Sequence, residues 1–213
     1  ADGITAKVAT VENNLVDTSV EVGDSTYSRG SAPKTAGTYT ASVTAGDATA
    51  TVEFTLSNYA AKVTDKDGNL IGNYKTLEEA ADAVRWDYEN ATITLLDDIT
   101  LDSTWSVGGV VTIDLNGKTL NCTSGDTIFV QAFNGFAVTV VDSSENKTVV
   151  IRSETGLAID VGVGSKFILN SGTITAENDY AIMAAYRESN HSLFEAHGGI
   201  VNGRVFCYAD SVV

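Results

Sequence analysis

The sequence predicts an all-β chain in which a small N-terminal β-sandwich precedes a short right-handed parallel β-helix with one N-terminal capping α-helix. Three observations support this prediction: a composition rich in Thr, Val, Ala, Gly, Asp and Ser, an alternating hairpin pattern, and a recurrent unit of about 27 residues. We therefore expect two domains, a β module over 1–57 and a helix-capped β-helix of about five coils over 58–213.

Composition and charge narrow the range of functions. The 213 residues include 13 Lys and Arg against 28 Asp and Glu, which gives a formal net charge of −15. A field of this sign repels phosphate backbones and anionic membrane surfaces, so nucleic acid is not an expected partner. No apolar run approaches the roughly 18 residues of a membrane helix, so we expect no membrane insertion.

The first 57 residues read as a small β module. Gly37–Ala45 and Ala48–Leu56 alternate on either side of a two-residue turn, which predicts a hairpin, and 4–11 and 18–22 are weaker strand candidates. The run at 32–40 contains the pattern P-x-x-A-G-T-Y-T, at 33–40, before a strand. It resembles bacterial immunoglobulin-like repeats, and this resemblance implies an immunoglobulin-like sandwich.

The next segment predicts a hairpin and then a helix. The turn-forming cluster at 65–69 separates two short apolar runs. Thr76 and Glu79 have the spacing of a capping box, in which the hydroxyl accepts from an amide of the first turn and the carboxylate reaches back. Apolar residues then recur at helical spacing, so we expect an amphipathic helix of about a dozen residues that ends near 86–90.

From residue 91 the chain consists of short apolar runs separated by Gly, Asn and Asp. Gly117, Gly172 and Gly198 end three similar segments, 55 and 26 positions apart, so a unit of about 27 fits. Each unit contains a second apolar run, and stacking of units would bury these runs. This register places four residues on an inward ladder: Phe129, Ile159, Ile182 and Phe206.

Three segments carry a resemblance to a known group. These are K-T-L-E-E-A-A-D-A-V at 75–84, A-T-I-T-L-L-D-D-I-T-L at 91–101 and V-T-I-D-L-N-G-K-T-L at 111–120. Together they resemble the pectate-lyase-like β-helix modules of cell-surface proteins from Firmicutes. The stretch at 86–90 departs from that group, which has a Gly-Asp turn there. The resemblance implies an extracellular or cell-surface protein.

The residues do not form a catalytic constellation. Our register gives Asp114 and Glu195 equivalent positions but puts Leu169 in the coil between them, so no pair of carboxylates stacks as a glycosidase requires. Cys122 and Cys207 are predicted to lie about three coils apart, which favours two free thiols. We expect no catalytic residue and no cofactor.

A calcium site is a weak alternative at the turn. Asp65, Asp67 and Asn69 look like the start of a calcium loop, but the later ligands and the closing Glu are missing. A plain hairpin turn is the favoured interpretation.

Aromatic residues after residue 91 are the candidates for ligand binding. Trp105, Tyr180 and Tyr186 are predicted to face solvent, where their rings could stack on the C–H faces of sugars. The competing interpretation is that they fill turns and coil ends.

These observations favour a non-catalytic adhesin-type surface module that contacts polysaccharide or host glycan. One alternative is a polysaccharide lyase or glycoside hydrolase on a β-helix, and another is a phage virion fibre or decoration protein. The open end of the last coil is expected to meet further modules of the same chain or other subunits.

Overall fold

A computed structural model describes residues 4–8, 18–22, 25–29, 37–45, 48–56, 58–85, 89–145, 150–184, 186–187 and 190–207. The chain divides into two compact units, Ala1–Asn58 and Tyr59–Val213. This division lies one residue beyond the predicted boundary. None of the helices in the described ranges has the length and apolar character needed to cross a bilayer.

The first unit contains antiparallel strands. They are β1 (Ile4–Val8), β2 (Thr18–Val22), β3 (Ser25–Arg29), β4 (Gly37–Ala45) and β5 (Ala48–Leu56). The first three form one sheet in chain order, and β4 pairs with β5 along its whole length. The predicted hairpin is therefore confirmed. Residues 32–36 of the motif that carries the immunoglobulin-like resemblance lie outside the described residues.

The second unit begins with a hairpin and one helix and continues in short strands. Its elements in chain order are β6 (Ala61–Thr64), β7 (Leu70–Tyr74), α1 (Leu77–Val84), β8 (Glu89–Leu95), β9 (Ile99–Leu101), β10 (Trp105–Val107), β11 (Val110–Asp114), β12 (Leu120–Cys122), β13 (Ile128–Val130), β14 (Ala137–Val141), β15 (Val150–Ser153), β16 (Ile159–Val161), β17 (Lys166–Leu169), β18 (Thr173–Ala184), β19 (Tyr186–Arg187), β20 (Asn190–His191), β21 (Leu193–Ala196) and β22 (Ile200–Cys207).

These strands build a parallel β-solenoid of about three turns with three faces. The first face runs β8, β11, β14, β17 and β21. The second runs β9, β12, β15 and the first halves of β18 and β22. The third runs β10, β13, β16 and the second halves of β18 and β22. The predicted recurrent β unit is therefore a turn of a solenoid.

The hairpin and the helix close the N-terminal end of the solenoid. Strand β6 pairs with β7 and also, antiparallel, with β8, so the hairpin extends the first face. The predicted capping box is present: Thr76 Oγ1 accepts from the Glu79 amide at 3.2 Å, and Glu79 Oε2 accepts from the Lys75 amide at 3.1 Å. Helix α1 has eight residues rather than about a dozen, and 86–88 lie outside the described residues.

Helix α1 covers the core beside the third face. Its apolar residues Leu77, Ala80, Ala81 and Val84 are all buried, as the helical spacing predicts. Below it, the indole Nε1 of Trp105 donates to the Leu77 carbonyl at 3.0 Å. A large aromatic ring therefore fills the space between the helix and the first solenoid turn.

Alternation decides which side chains enter the solenoid core. On the third face the inward ladder is Trp105, Ile128, Ile159 and Ile182, because these residues pair across adjacent strands and are fully buried. The predictions for Ile159 and Ile182 are confirmed, whereas those for Phe129 and Phe206 are wrong. Phe129 pairs with Asp160, and Phe206 pairs with Met183, so both rings lie on the outward side.

Candidate functional site

The outward side of the third face carries one continuous row of side chains. It consists of the residue before the last on each strand of this face, and we call it the central row: Ser106, Phe129, Asp160, Met183 and Phe206. Neighbouring members lie on adjacent parallel strands, about 4.8 Å apart. Every member is partly exposed, and Phe206 reaches 38%. The solenoid thus displays a ladder of one hydroxyl, two phenyl rings, one carboxylate and one thioether.

A second aromatic ring widens the C-terminal end of the central row. The rings of Tyr180 and Phe206 meet edge to face with centroids 5.8 Å apart. The guanidinium carbon of Arg204 lies 5.9 Å from the centre of the Tyr180 ring, within cation–π range. Adjacent strands supply these three side chains: Tyr180 pairs with Arg204, and the register of β18 against β22 shifts on both sides of this pair.

Asp160 stands in the middle of the row between Phe129 and Met183. Burial against these neighbours raises the pKa of the Asp160 carboxyl to about 6, and the negative charge of Asp126 adds to the effect. Among the residues that the structure describes, no hydrogen-bond donor or cation contacts this carboxylate. The row therefore contains an acid that its own fold leaves poorly solvated and unpaired.

The second face differs in chemistry from the third. Its outward row is polar: Thr100, Asn121, Arg152, Thr175 and Asn202. Several of these groups bind one another or nearby side chains. Asn121 donates to Glu154 at 3.0 Å, and Arg152 forms an ion pair with Glu177. The second face thus pairs part of its polar groups internally, although Asn121 Oδ1 and Arg152 Nε have no hydrogen-bond partner among the described residues, while the third face presents apolar surface to solvent.

No family model, curated protein or solved structure matches this chain.

The three predicted aromatic residues have different fates. Trp105 is fully buried, so the prediction that its ring faces solvent is wrong, because the ring packs under helix α1. Tyr180 is half-buried and lies beside the central row. Tyr186 lies in the small hairpin of β19 and β20, and the structure describes its backbone but not its side chain. Only Tyr180 is brought to the site.

The turn at Asp65 uses its polar groups to form the hairpin. Asp65 Oδ1 accepts from the amides of Asp67 and Asn69, both at 2.9 Å, and Oδ2 accepts from the Asn69 side chain at 3.0 Å. These hydrogen bonds lower the pKa of Asp65, and the bond from the Asn69 side chain is the largest cause. In the part of the chain that the structure describes, no three His, Cys, Asp or Glu side chains are grouped to hold a metal.

The predicted register of the acids on the first face is wrong by two residues, because strand pairing makes Thr112, and not Asp114, the equivalent of Glu195. Asp114 pairs with Val141, and Glu195 pairs with Ile168, so the two acids are not in one row. Asp114 Oδ1 accepts from two backbone amides, each at 3.0 Å, and so holds a turn.

Glu195 forms a small ion cluster across the last two coils of the first face. Its Oε1 lies 2.7 Å from Lys166 Nζ, and its Oε2 lies 3.3 Å from His197 Nε2. The hydrogen bond from Lys166 is the largest cause of the lowered pKa of Glu195. This cluster ties β17 to β21.

Both cysteines are free thiols, as the sequence predicts. Cys122 is buried, and burial raises the pKa of its thiol. Cys207 is half-buried in the last strand, and burial raises the pKa of its thiol also. A raised pKa keeps each sulfur protonated and poorly nucleophilic.

Sequence reasoning assigned none of the five members of the central row to a site. Phe129, Met183 and Phe206 each lie in a run of apolar residues, so alternation could not show which residue of the run faces out. Asp160 carried a signal, because a lone acid between Ile159 and Val161 indicates that the middle residue points away from the core.

Proposed function

We propose that this chain is a non-catalytic extracellular module of a bacterial surface protein that binds carbohydrate through the third face of its solenoid. The observation that supports this is the central row, with Tyr180 beside it. Phenyl rings and a thioether stack favourably on the C–H faces of sugar rings, and a carboxylate accepts from hydroxyl groups. A row at strand spacing suits an extended chain of sugar units better than a compact ligand.

The fold gives this surface a stiff support. Parallel pairing continues across adjacent coils, so side chains of the row keep fixed spacing. In this proposal the coils wind to the right, the sense that nearly all parallel β crossovers adopt. The first unit is an immunoglobulin-like spacer, and the last coil meets a further module or another subunit. The resemblance to pectate-lyase-like surface modules supports an extracellular location.

Retention on immobilised glycans, measured together with release of soluble products, tests the proposal. We expect retention on at least one plant, mucin or microbial polysaccharide without release of products. Phe206→Ala should weaken retention, because it removes the most exposed ring of the row. Leu70→Ala is the matched control, since Leu70 is an exposed apolar residue, at 60%, on strand β7 and outside the row. Equal retention of both variants would contradict the proposed site.

A polysaccharide-cleaving enzyme is the second candidate, and Asp160 is the observation that favours it. A carboxyl with a pKa near 6 can act as a general acid, and the charge of Asp126 acts on it. Products that appear with the parent protein and disappear with Asp160→Asn would establish this reaction. If no products appear from any polysaccharide that retains the protein, the binding function is the one that remains.

A further inference from the structure

Asp160 differs from the other partly buried acids of the solenoid. Within the described ranges of the solenoid, each of the others has a hydrogen-bond or ion partner: Asp114, Asp126, Asp142, Glu154 and Glu195. Asp160 has none there, although it lies in the middle of an exposed row and not inside a turn. Its charge therefore does not serve the local backbone.

A protonated or quaternary amine is the group that would best satisfy this carboxylate. Burial disfavours the charged form of Asp160, and a cation placed beside it restores the lost stabilisation. Phe129 pairs with Asp160 on the adjacent strand, and a phenyl ring attracts a cation placed over its face. Neutral hydroxyl groups can make hydrogen bonds here but cannot balance the charge.

We propose that the central row binds glycans that carry cationic amines, with the amine of one sugar unit on Asp160 and neighbouring units stacked on Phe129 and Phe206. This inference rests on the proposed carbohydrate-binding function and specifies its ligand class. The net charge of −15 favours the approach of such a polymer over long range. From the elements around Asp160, the charged group that acts on it is Asp126, which is also negative.

The probe is a glucosamine oligosaccharide whose amines are trimethylated, compared with its N-acetylated counterpart of the same length. The trimethylated amine keeps its charge at every pH, so the pH dependence of binding reports on the protein alone. At pH 7.5 we expect the cationic oligosaccharide to bind roughly tenfold more tightly than the acetylated one. Affinity for the cationic probe should rise between pH 5 and pH 7, as Asp160 ionises.

Two variants with the same change in charge separate the site from general attraction. Asp160→Asn should remove the preference for the cationic probe and its pH dependence. Asp67→Asn removes one negative charge from the exposed hairpin turn and should preserve both. Circular dichroism of each variant establishes that the fold is retained.

The outcomes distinguish this inference from the function on which it rests. Equal binding of the two oligosaccharides, with loss of both in Phe206→Ala, would overturn the cationic ligand and leave a carbohydrate-binding site. Failure of the cationic oligosaccharide to bind, with retention on a polysaccharide of the panel that Phe206→Ala weakens, would overturn the cationic ligand alone, and no retention on any polysaccharide of the panel would overturn both proposals. Binding of a lysine-rich peptide that depends on Asp160, without binding of the cationic oligosaccharide, would overturn the assignment of the ligand as a glycan.

Discussion

Replacing Asp160 with Asn should stabilise the protein above pH 7 and leave its stability unchanged near pH 4. The folded protein holds the Asp160 proton with a pKa of about 6, whereas the ordinary value is 3.8. The folded state therefore binds this proton more tightly than the unfolded chain does. Stability from this group is fully present below about pH 4 and is lost as the pH rises through about 6.

The size of the effect follows from that difference in pKa. For a group shielded from water, the interval from 3.8 to about 6 corresponds to about 3 kcal/mol. Asp160 is only partly buried, and solvent screening reduces this value to roughly 1 kcal/mol. For a chain of this length, 1 kcal/mol shifts Tm by about 2–4 °C. Asn cannot ionise, so the variant keeps above pH 7 the stability that the parent loses.

Thermal melts followed by tryptophan fluorescence measure this shift in Tm for the part of the chain that contains Asp160. Both tryptophans, Trp86 and Trp105, lie in the unit that contains the solenoid. Melts of the parent, Asp160→Asn and the control Asp67→Asn should be compared at pH 4 and pH 7.5. A Tm for Asp160→Asn that is unchanged or lower at pH 7.5, or an equal gain at both pH values, would refute the reasoning.

Three further predictions concern the fold. Ile128→Asp should abolish cooperative unfolding, because an unpaired charge in the core costs several kcal/mol, whereas Phe129→Asp should melt within a few degrees of the parent. Melts followed by circular dichroism compare the two variants, and the reverse order of stability would mean that the register is wrong. Trp105→Phe should lower the free energy of unfolding in urea by at least about 1 kcal/mol, because it removes the hydrogen bond from the indole to helix α1. An unchanged midpoint of urea unfolding would mean that this hydrogen bond does not stabilise the protein. Gly109→Ala should lower Tm more than Gly135→Ala. Both glycines have positive φ, but only at Gly109 would an added Cβ lie 3.1 Å from a carbonyl oxygen at the end of α1. Equal decreases in Tm would mean that backbone strain accounts for the whole effect.

The parts of the fold that were predictable from the sequence are those fixed by neighbouring residues. The capping box at Thr76 and Glu79 acts over three positions, and the hairpin of β4 and β5 needs only alternation and a short turn. The end of helix α1 was less predictable. It stops at Val84, before the predicted end near 86–90, because its length is set by the core that it covers.

The register of the coils was not predictable because the turns differ in length. Gly117, Gly172 and Gly198 look equivalent in sequence, but pairing of the first-face strands makes Gly199 the equivalent of Gly172. In the second coil the matching position is Asn116, which adopts a φ of 47° immediately before Gly117. A slip of one residue exchanges the two sides of a strand, so the central row was assigned in part to the core.

The site itself depends on distances that no local pattern contains. Phe129, Asp160 and Met183 lie 31 and 23 positions apart along the chain and become neighbours only through strand pairing. The burial of Trp105 was also not predictable from its neighbours in the sequence. Its aromatic character predicted exposure for ligand contact, but a helix 28 positions earlier in the chain covers it.

The antiparallel junction between β6 and β8 has a consequence for how the chain acquires its structure during synthesis. The hairpin, helix α1 and β8 are close in sequence, so this end can assemble before the later coils emerge. Each later coil then pairs with the coil made immediately before it, as in the bond from the Ile128 amide to the Ala158 carbonyl. Folding can therefore keep pace with translation from the N-terminal side, with every new coil added to a finished template.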